Sequence, residues 1–372
     1  MTDTYAIIAG GGTAGHLLPG LAVAAELVER GHAPESIHVV GSDRGVEAEV
    51  VPPLGYGLDQ LPGRGVPRRP SPASVAALFG ILRGLVRAFA IVRRERPKVV
   101  IALGGHASFP CGLAAGILRI PLVLLEQNKR AGAVNRVLRW FAEASAVSFE
   151  GTDLPRATVT GNPLRPELRA AALGDHRVDA RRQMAIGDDQ VLVAAFSGSL
   201  GSRRINTAVR GLVARWAHRA DIVVHHVVGR RDWEADQAEL PVPPAGGIDY
   251  RAVEYEDHVE VMLAAADIAV TRAGGTVFEL AAFGVPAVLV PLPIAPRDHQ
   301  TANARAMVET GGAVLVPDDE LDVDRLEAEV GYLVADPVRR QQMSDAIRSA
   351  ARLDAAASVA DLVELHAGDR RR

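Results

Sequence analysis

The chain lacks most of what marks several large protein classes. Its 372 residues include one cysteine, Cys111. A single thiol excludes an internal disulfide framework and a cysteine-built metal cluster, and it suits a reducing cytosol. No uncharged run approaches the ~20 apolar residues of a membrane-spanning helix. No N-terminal stretch joins basic residues, an apolar core and a cleavage site, because the first apolar run has only the length of a strand. Net charge is small, −4, so there is no global basic field for nucleic acid. Lysine is scarce, and the arginine that replaces it is a compositional bias that says nothing about function. What is present is 48 % hydrophobic and 23 % charged residues in a length that allows two domains, each with its own core.

Apolar β-rich runs fall at Tyr5–Ala9, Ile37–Val40, Val99–Ala102 and Leu122–Leu125, with weaker ones at Ala146–Ser148 and Ala157–Thr160. Helical stretches separate them at Leu17–Arg30, Ser74–Glu95, Cys111–Leu118 and Ala133–Phe141. Strand–helix alternation predicts parallel βαβ units, and near-continuous apolar strands predict a sheet covered on both faces. Gly161-Asn162-Pro163-Leu164-Arg165-Pro166 breaks the pattern and reads as a linker. The plan then restarts with a strand at Val191–Phe196, a Gly/Ser turn and a helix at Ile205–Trp216. Further strands are predicted at Ile222–Val228, Ile268–Thr271, Ala287–Val290 and Ala313–Val316. Helices are predicted at Asp322–Leu333, Pro337–Ala351 and Ala355–His366. The fold class is therefore α/β, with two Rossmann-like domains. Ligands of such sheets bind at the carboxyl ends of the strands, so the two glycine turns are expected to face one cleft.

Five segments carry candidate chemistry. The first is Gly10-Gly11-Gly12-Thr13-Ala14-Gly15-His16, a glycine turn that opens a helix and offers bare N–H groups to a phosphate. His16 sits where the helix dipole disfavours imidazolium, which suits a general base and equally a turn cap. The second is Gly104-Gly105-His106, whose glycines permit close approach of a ligand or make an ordinary turn. The third, Glu126-Gln127-Asn128, can orient hydroxyls or an acetamido group, or form a polar loop. The fourth runs from Arg272 through Gly274, Gly275 and Thr276 to Glu279. Its amides can hold a diphosphate, and Glu279 can chelate a ribose or merely favour the helix N-terminus. The fifth is the proline-rich loop Pro291–Gln300 with Asn303, where His299, Gln300 and Asn303 form a sugar-hydroxyl clamp or a surface loop. No metal-ligand spacing stands out, since His225 and His226 point to opposite faces of a strand. Neither a metal nor a cofactor is expected.

From Arg64 to Lys98 there are nine basic residues and one acid, Glu95, interleaved with apolar side chains. Leu78, Leu82, Leu85 and Phe89 recur at helical spacing, with Arg83, Arg87 and Arg94 elsewhere round the helix. A core-packing helix explains part of this. The surplus of apolar residues favours a peripheral patch for an anionic bilayer.

Taken in order along nearly the whole chain, these motifs resemble the MurG family of peptidoglycan N-acetylglucosaminyltransferases, glycosyltransferase family 28 with a GT-B fold. Residues 11–16 resemble its first glycine loop and Gly104-Gly105-His106 its second. Glu126-Gln127-Asn128 resembles its His-Glu-Gln-Asn motif, with Leu125 in the histidine place. Gly161 to Arg165 resembles its hinge, and Gly198-Ser199-Leu200-Gly201 its Gly-Ser-Gln-Gly turn. Arg272–Glu279 resembles a shortened nucleotide loop, and His299, Gln300 and Asn303 its Gln-Gln-x-x-Asn segment.

The resemblance implies inverting transfer of GlcNAc from UDP-GlcNAc to the muramyl hydroxyl of lipid I, giving lipid II. It implies catalytic roles for His16 and Glu126. Thr13, Ala14, Gly15, Asn128, Arg165, Ser199, Glu256, Arg272, Gly274, Gly275, Thr276, Glu279, His299, Gln300 and Asn303 would bind the donor. Gly12, Gly104, Gly105, His106 and Gln127 would meet the acceptor. Residues 1–161 with 352–372 would form the acceptor and membrane domain, and 162–351 the donor domain. The implied partners are UDP-GlcNAc, lipid I, an anionic membrane surface through residues 64–98 and other cell-wall synthesis proteins, but no nucleic acid. The implied location is the cytoplasmic face of the cell membrane.

Other readings are another GT-B transferase, a UDP-GlcNAc 2-epimerase and a non-catalytic nucleotide-sugar sensor. A nicotinamide dehydrogenase is disfavoured, because the strand Ile37–Val40 ends in Gly41-Ser42 with no acid at its tip.

Overall fold

The computed structural model describes residues 4–11, 14–43, 47–62, 72–198 and 200–367. They form two compact units, Met1–Pro166 with Asp354–Arg372, and Glu167–Leu353. The expected break at Gly161 moves to Pro166. Gly161 to Leu164 are buried, and the chain becomes exposed only at Pro166 and Glu167, where a helix starts.

In the first unit the elements run β1 (Ala6–Gly11), α1 (Ala14–Glu29), β2 (Ile37–Ser42), α2 (Glu47–Val50), β3 (Gly57–Leu61) and α3 (Pro72–Glu95). They continue with β4 (Val99–Gly105), α4 (Ser108–Leu118), β5 (Leu122–Glu126), α5 (Ala133–Leu138), β6 (Ala144–Val147) and β7 (Ala157–Val159). All seven strands are parallel, in the order β3-β2-β1-β4-β5-β6-β7. The sheet is buried on both faces, and the strand period of two sorts its side chains. Ile7, Ala9, Val100, Ala102, Leu122 and Leu124 pack against Ala88, Ile91 and Val92 of α3 and Cys111, Ala114 and Ala115 of α4. Ala6, Ile8, Val99, Ile101, Val123 and Leu125 face the other way, onto Val23, Ala24 and Leu27 of α1.

The end of the chain completes that second layer. Helix α15 (Ala355–Ala367) lays Val359, Ala360, Val363 and Ala367 into the same cluster. Arg30 of α1 clamps it, bonding Asp361 at 2.7 Å, Glu364 at 2.8 Å and the Ala357 carbonyl at 3.0 Å.

In the second unit the order is α6 (Pro166–Leu173), α7 (Arg177–Gln183), β8 (Val191–Phe196), α8 (Arg203–Arg215), β9 (Ile222–Val227), α9 (Trp233–Asp236), β10 (Asp249–Val253) and α10 (Val259–Ala265). There follow β11 (Ile268–Thr271), α11 (Thr276–Phe283), β12 (Ala287–Leu289), α12 (His299–Thr310), β13 (Ala313–Leu315), α13 (Val323–Ala335) and α14 (Pro337–Arg348). Six parallel strands lie in the order β10-β9-β8-β11-β12-β13. Val193, Ala195, Val224, Ile268, Val270 and Val288 form one core with Ile205, Val209 and Leu212 of α8 and Leu326 and Val330 of α13.

Two strands were not expected, β3 and β10. Both are edge strands whose residues are mostly half-buried, so neither carries an apolar run. In α3 the inward face is Gly84, Ala88, Ile91 and Val92. Leu85 and Phe89 are only half-buried and Leu82 is exposed. The expected apolar stripe is therefore not the buried one. Leu78 belongs to that stripe but its side chain lies outside the described set, as do residues 63–71.

His226 on β9 is fully buried in a polar knot. Asn206 donates its amide to the Val228 carbonyl at 3.0 Å, so its Oδ1 faces His226 Nε2 at 3.1 Å. Nε2 therefore carries the proton, and Nδ1 accepts from the Tyr250 hydroxyl at 2.9 Å. Burial pushes the imidazole down to about 3. The unfolded chain takes up this proton near pH 6.5, while the folded chain resists until near pH 3. Stability of the second unit is thus expected to fall on acidification between those values, by up to about 1.4 kcal/mol per pH unit. Urea unfolding followed by Trp216 fluorescence at pH 7 and pH 5 measures this. His226→Phe is expected to reduce the slope, and an unchanged slope refutes the assignment.

Candidate active site

Parallel α/β sheets bind ligands beyond the carboxyl ends of the strands where strand order reverses. That point lies between β1 and β4 in the first sheet and between β8 and β11 in the second. The four glycine-rich turns found in the sequence follow these four strands.

In the first unit the turns after β1 and β4 touch through their backbones. Gly11, Gly104 and Gly105 have φ of 133°, 82° and 80°. A Cβ on Gly105 would stand 2.8 Å from the Gly11 carbonyl oxygen, so a side chain fits neither the conformation nor the space. Ser108 Oγ lies 2.5 Å from the Ala9 carbonyl and 2.7 Å from that of Gly104, stitching α4 to both turns. Glu47 completes the packing. It is fully buried, and a Cβ on Gly11 would overlap its Oε1 at 1.6 Å. Nothing in the sequence separates Glu47 from a surface acid.

His16 stands in the first turn of α1, half-buried. A Cβ built on Gly104 would meet its Cδ2 at 3.4 Å and its Nε2 at 3.7 Å. The imidazole therefore lies over the end of β4, and the first two candidate segments converge. Gly15 beside it is open, with nothing within 4 Å of the place a Cβ would occupy. Ala14 opens α1, and Gly12 and Thr13 lie outside the described residues. His106 is half-buried just past the β4 turn.

Glu126, expected to be catalytic, is enclosed by the protein. It is 3 % exposed, and its carboxylate is saturated by protein donors. Oε1 accepts from the Asn128 amide N–H at 3.0 Å and from its side chain at 3.1 Å. Oε2 accepts from Gly132 N–H at 2.8 Å and Asn135 Nδ2 at 3.0 Å. Glu126 thus organises the loop after β5 through four N–H groups. Leu125 points into the α1–α15 core, so a polar group there would not face the loop. Gln127 Oε1 and Arg165 Nε are buried without a partner among the described residues.

The second unit repeats the pattern. Gly198 and Gly201 have φ of 78° and 80°, and a Cβ on Gly201 would sit 2.1 Å from the Val228 carbonyl oxygen. Ser199 lies outside the described residues, and Leu200 is exposed. Ser202 N-caps α8. Gly274 and Gly275 lead into α11, which Thr276 opens with Glu279 in its first turn. Gln300 accepts from Leu292 N–H at 2.9 Å, and its Nε2 stands 3.8 Å from where a Cβ on Gly274 would be. His299 starts α12, its Nδ1–H donating to the Pro296 carbonyl at 2.9 Å.

Three residues expected on the donor make loop-holding bonds within the second unit. Asn303 is buried and donates to the Ala273 carbonyl at 3.1 Å. Glu256 meets His225 Nε2 at 2.8 Å and accepts from His258 N–H at 2.8 Å. Arg272 bonds Ser202 and Asp318, each at 2.6 Å.

One group among the described residues has metal-ligand reach. His38, Asp59 and Glu95 hold their ligand atoms within 4.8 Å of one another. Arg94 already bridges Asp59 at 2.5 Å and Glu95 at 2.7 Å, so a guanidinium offsets half of the pair's charge.

These halves define a class. Residues 6–147 match the glycosyltransferase family 28 N-terminal domain and residues 192–362 its C-terminal domain, so the protein is a two-unit α/β glycosyltransferase of the GT-B kind. A UDP-N-acetylglucosamine--N-acetylmuramyl-(pentapeptide) pyrophosphoryl-undecaprenol N-acetylglucosamine transferase of Alkalilimnicola ehrlichii is 40 % identical over 361 residues, 95 % of this chain and 96 % of its own. Its namesake in Carboxydothermus hydrogenoformans is 37 % identical over 96 % of each chain. A crystal structure of Acinetobacter baumannii MurG superposes with a TM-score of 0.76 at 26 % identity, covering 97 % of this chain and 99 % of that one. The chain belongs to the MurG family.

The saturated carboxylate gives a prediction. Glu126→Gln turns one acceptor oxygen into a donor facing protein N–H groups, which is expected to destabilise the first unit by about 1–3 kcal/mol. Thermal unfolding checks this. An unchanged melting temperature with a lost limb in the pH–rate profile would instead support a catalytic role for Glu126.

Proposed function

We propose that the protein transfers GlcNAc from UDP-GlcNAc to the muramyl C4 hydroxyl of undecaprenyl-diphospho-MurNAc-pentapeptide, with inversion, to give lipid II. The observation that carries this is the placement of His16 over the end of β4, beside two touching glycine turns at the switch point of the first sheet. His16 takes the proton of the attacking hydroxyl as the new bond forms at the anomeric carbon. The departing UDP carries negative charge, which the amides of the turn opening α11 stabilise. Glu279, in the first turn of that helix, holds the ribose hydroxyls. Gln300 borders Gly274 and closes the same turn. Gly104, Gly105, His106 and Gln127 serve the acceptor.

A lipid-linked acceptor calls for a membrane-facing surface, and α3 supplies one. Its outward side carries Leu82 and Val86, 51 % and 72 % exposed, among exposed Arg83, Arg87, Arg93 and Arg94. Trp140, just past α5, is 76 % exposed. No helix among the described residues is long and apolar enough to cross a membrane. Peripheral attachment to the anionic cytoplasmic leaflet fits this surface.

UDP release from UDP-GlcNAc in EDTA, with and without a short-chain lipid I analogue, tests the reaction. Acceptor-dependent release is expected, and donor turnover without acceptor overturns the reading. His16→Ala is expected to lower kcat by about 10²–10⁴ with UDP affinity kept. Glu279→Ala is expected to weaken UDP binding, and unchanged calorimetric affinity would sink that role. On anionic vesicles, Leu82→Glu with Val86→Glu is expected to reduce sedimentation with the lipid, against an unaffected wild type.

A further inference from the structure

We propose that Arg272 is a positioning residue, tied to Asp318, that locks three loops at the carboxyl edge of the second sheet into one anion-binding frame without touching the donor itself. The inference rests on the reading that this edge holds the donor diphosphate.

Arg272 follows β11 at the switch point, the place where a ligand-binding arginine is expected. Its guanidinium turns into the protein instead, and its side chain is 13 % exposed. Nη2 donates to Ser202 Oγ at 2.6 Å. Nη1 lies 2.6 Å from Asp318 Oδ1, 3.0 Å from the Val290 carbonyl and 3.1 Å from the Pro291 carbonyl. These four acceptors sit on three different pieces of the edge. Ser202 is the N-cap of α8 and ends the Gly198–Gly201 turn. Val290 and Pro291 begin the loop that leads to Gln300. Asp318 stands in a short helical turn after β13 and is itself 17 % exposed.

The planar fork of arginine is what makes this possible. Its N–H donors point in several directions within one plane, which the single ammonium of lysine cannot copy. Asp318 in turn balances the charge, and Arg204 of α8 approaches its other oxygen at 3.5 Å. Two cations from two elements thus converge on one carboxylate remote in sequence from every glycine turn. Backbone amides bind a diphosphate well only if their loops are fixed beforehand, since ordering them on binding weakens affinity. Loosening Arg272 is therefore expected to weaken the donor complex and leave the proton transfer, which belongs to the first unit, intact.

The test is a mutant cycle with Arg272→Lys, Asp318→Asn and the double variant, read as UDP affinity by calorimetry and as donor KM and kcat. Asp318→Asn keeps shape and volume. It is expected to raise donor KM and UDP Kd by about threefold to tenfold, with kcat within about twofold. The double variant is expected to be no worse than Arg272→Lys, because both remove the same tie. Ser202→Ala, which cuts the other arm, is expected to shift KM in the same direction. If Arg272→Lys weakens UDP while Asp318→Asn leaves KM and Kd unchanged, or if the two effects add, Arg272 touches the donor and the proposal falls. Wild-type protein that fails to bind UDP overturns the underlying reading of this edge, an outcome distinct from every variant pattern.

Discussion

In each unit a contact between main chains holds the glycine turns in place. In the first unit the carbonyl of Gly11 and the α-carbon of Gly105 approach so closely that no Cβ can intervene. In the second, Gly201 rests on the Val228 carbonyl, and a Cβ on Gly229 would fall 2.3 Å from the Gly201 nitrogen. The first contact sits where strand order reverses, between β1 and β4, and the second joins the end of β8 to that of its other neighbour, β9. A larger residue would push those turns apart and aim their amides in different directions. The helices that begin at these turns, and the side chains on their first turns, inherit their positions from this constraint.

Around those contacts runs a layer of buried polar side chains whose work is to hold loops. Glu126 gathers four N–H groups around the loop after β5. Asn303 ties α12 to the turn after β11, and Glu256 ties the loop after β10 to β9. Such groups are expensive to bury unless every hydrogen bond is made, so each one specifies a single loop geometry. His16 stands at the first switch point, and Gln300 and Glu279 stand by the turn that opens α11 at the second.

The return of α15 to the first unit gives the fold its closure. Val359, Ala360 and Val363 fill a layer that α1 alone does not cover, and Arg30 bonds three positions on that helix. The first sheet is therefore sealed on both faces only when the end of the chain is in place. Helix α3 packs on the opposite face and keeps Leu82 and Val86 outward.

Much was legible in the residues themselves. Apolar strands alternating with helices fix a doubly covered parallel sheet, because such strands have no solvated face to make polar. Glycine turns after strands mark the ligand edge, because only glycine adopts their left-handed backbone. The amphipathic stretch of α3 announced a helix, but which of its stripes turns inward was settled by packing against α4 and the sheet. The edge strands β3 and β10 were hidden because half-buried strands need no apolar run. Least legible was the division of labour among the polar residues of the motifs. Glu126, Arg272 and Asn303 have the same chemistry whether they face a ligand or a loop. Their direction depends on acceptors and donors far away in the chain: Gly132 and Asn135 for one, Asp318 and Ser202 for another, Ala273 for the third. Local sequence determines what a side chain can bond, and only the tertiary fold decides which partner comes within about 3 Å of it.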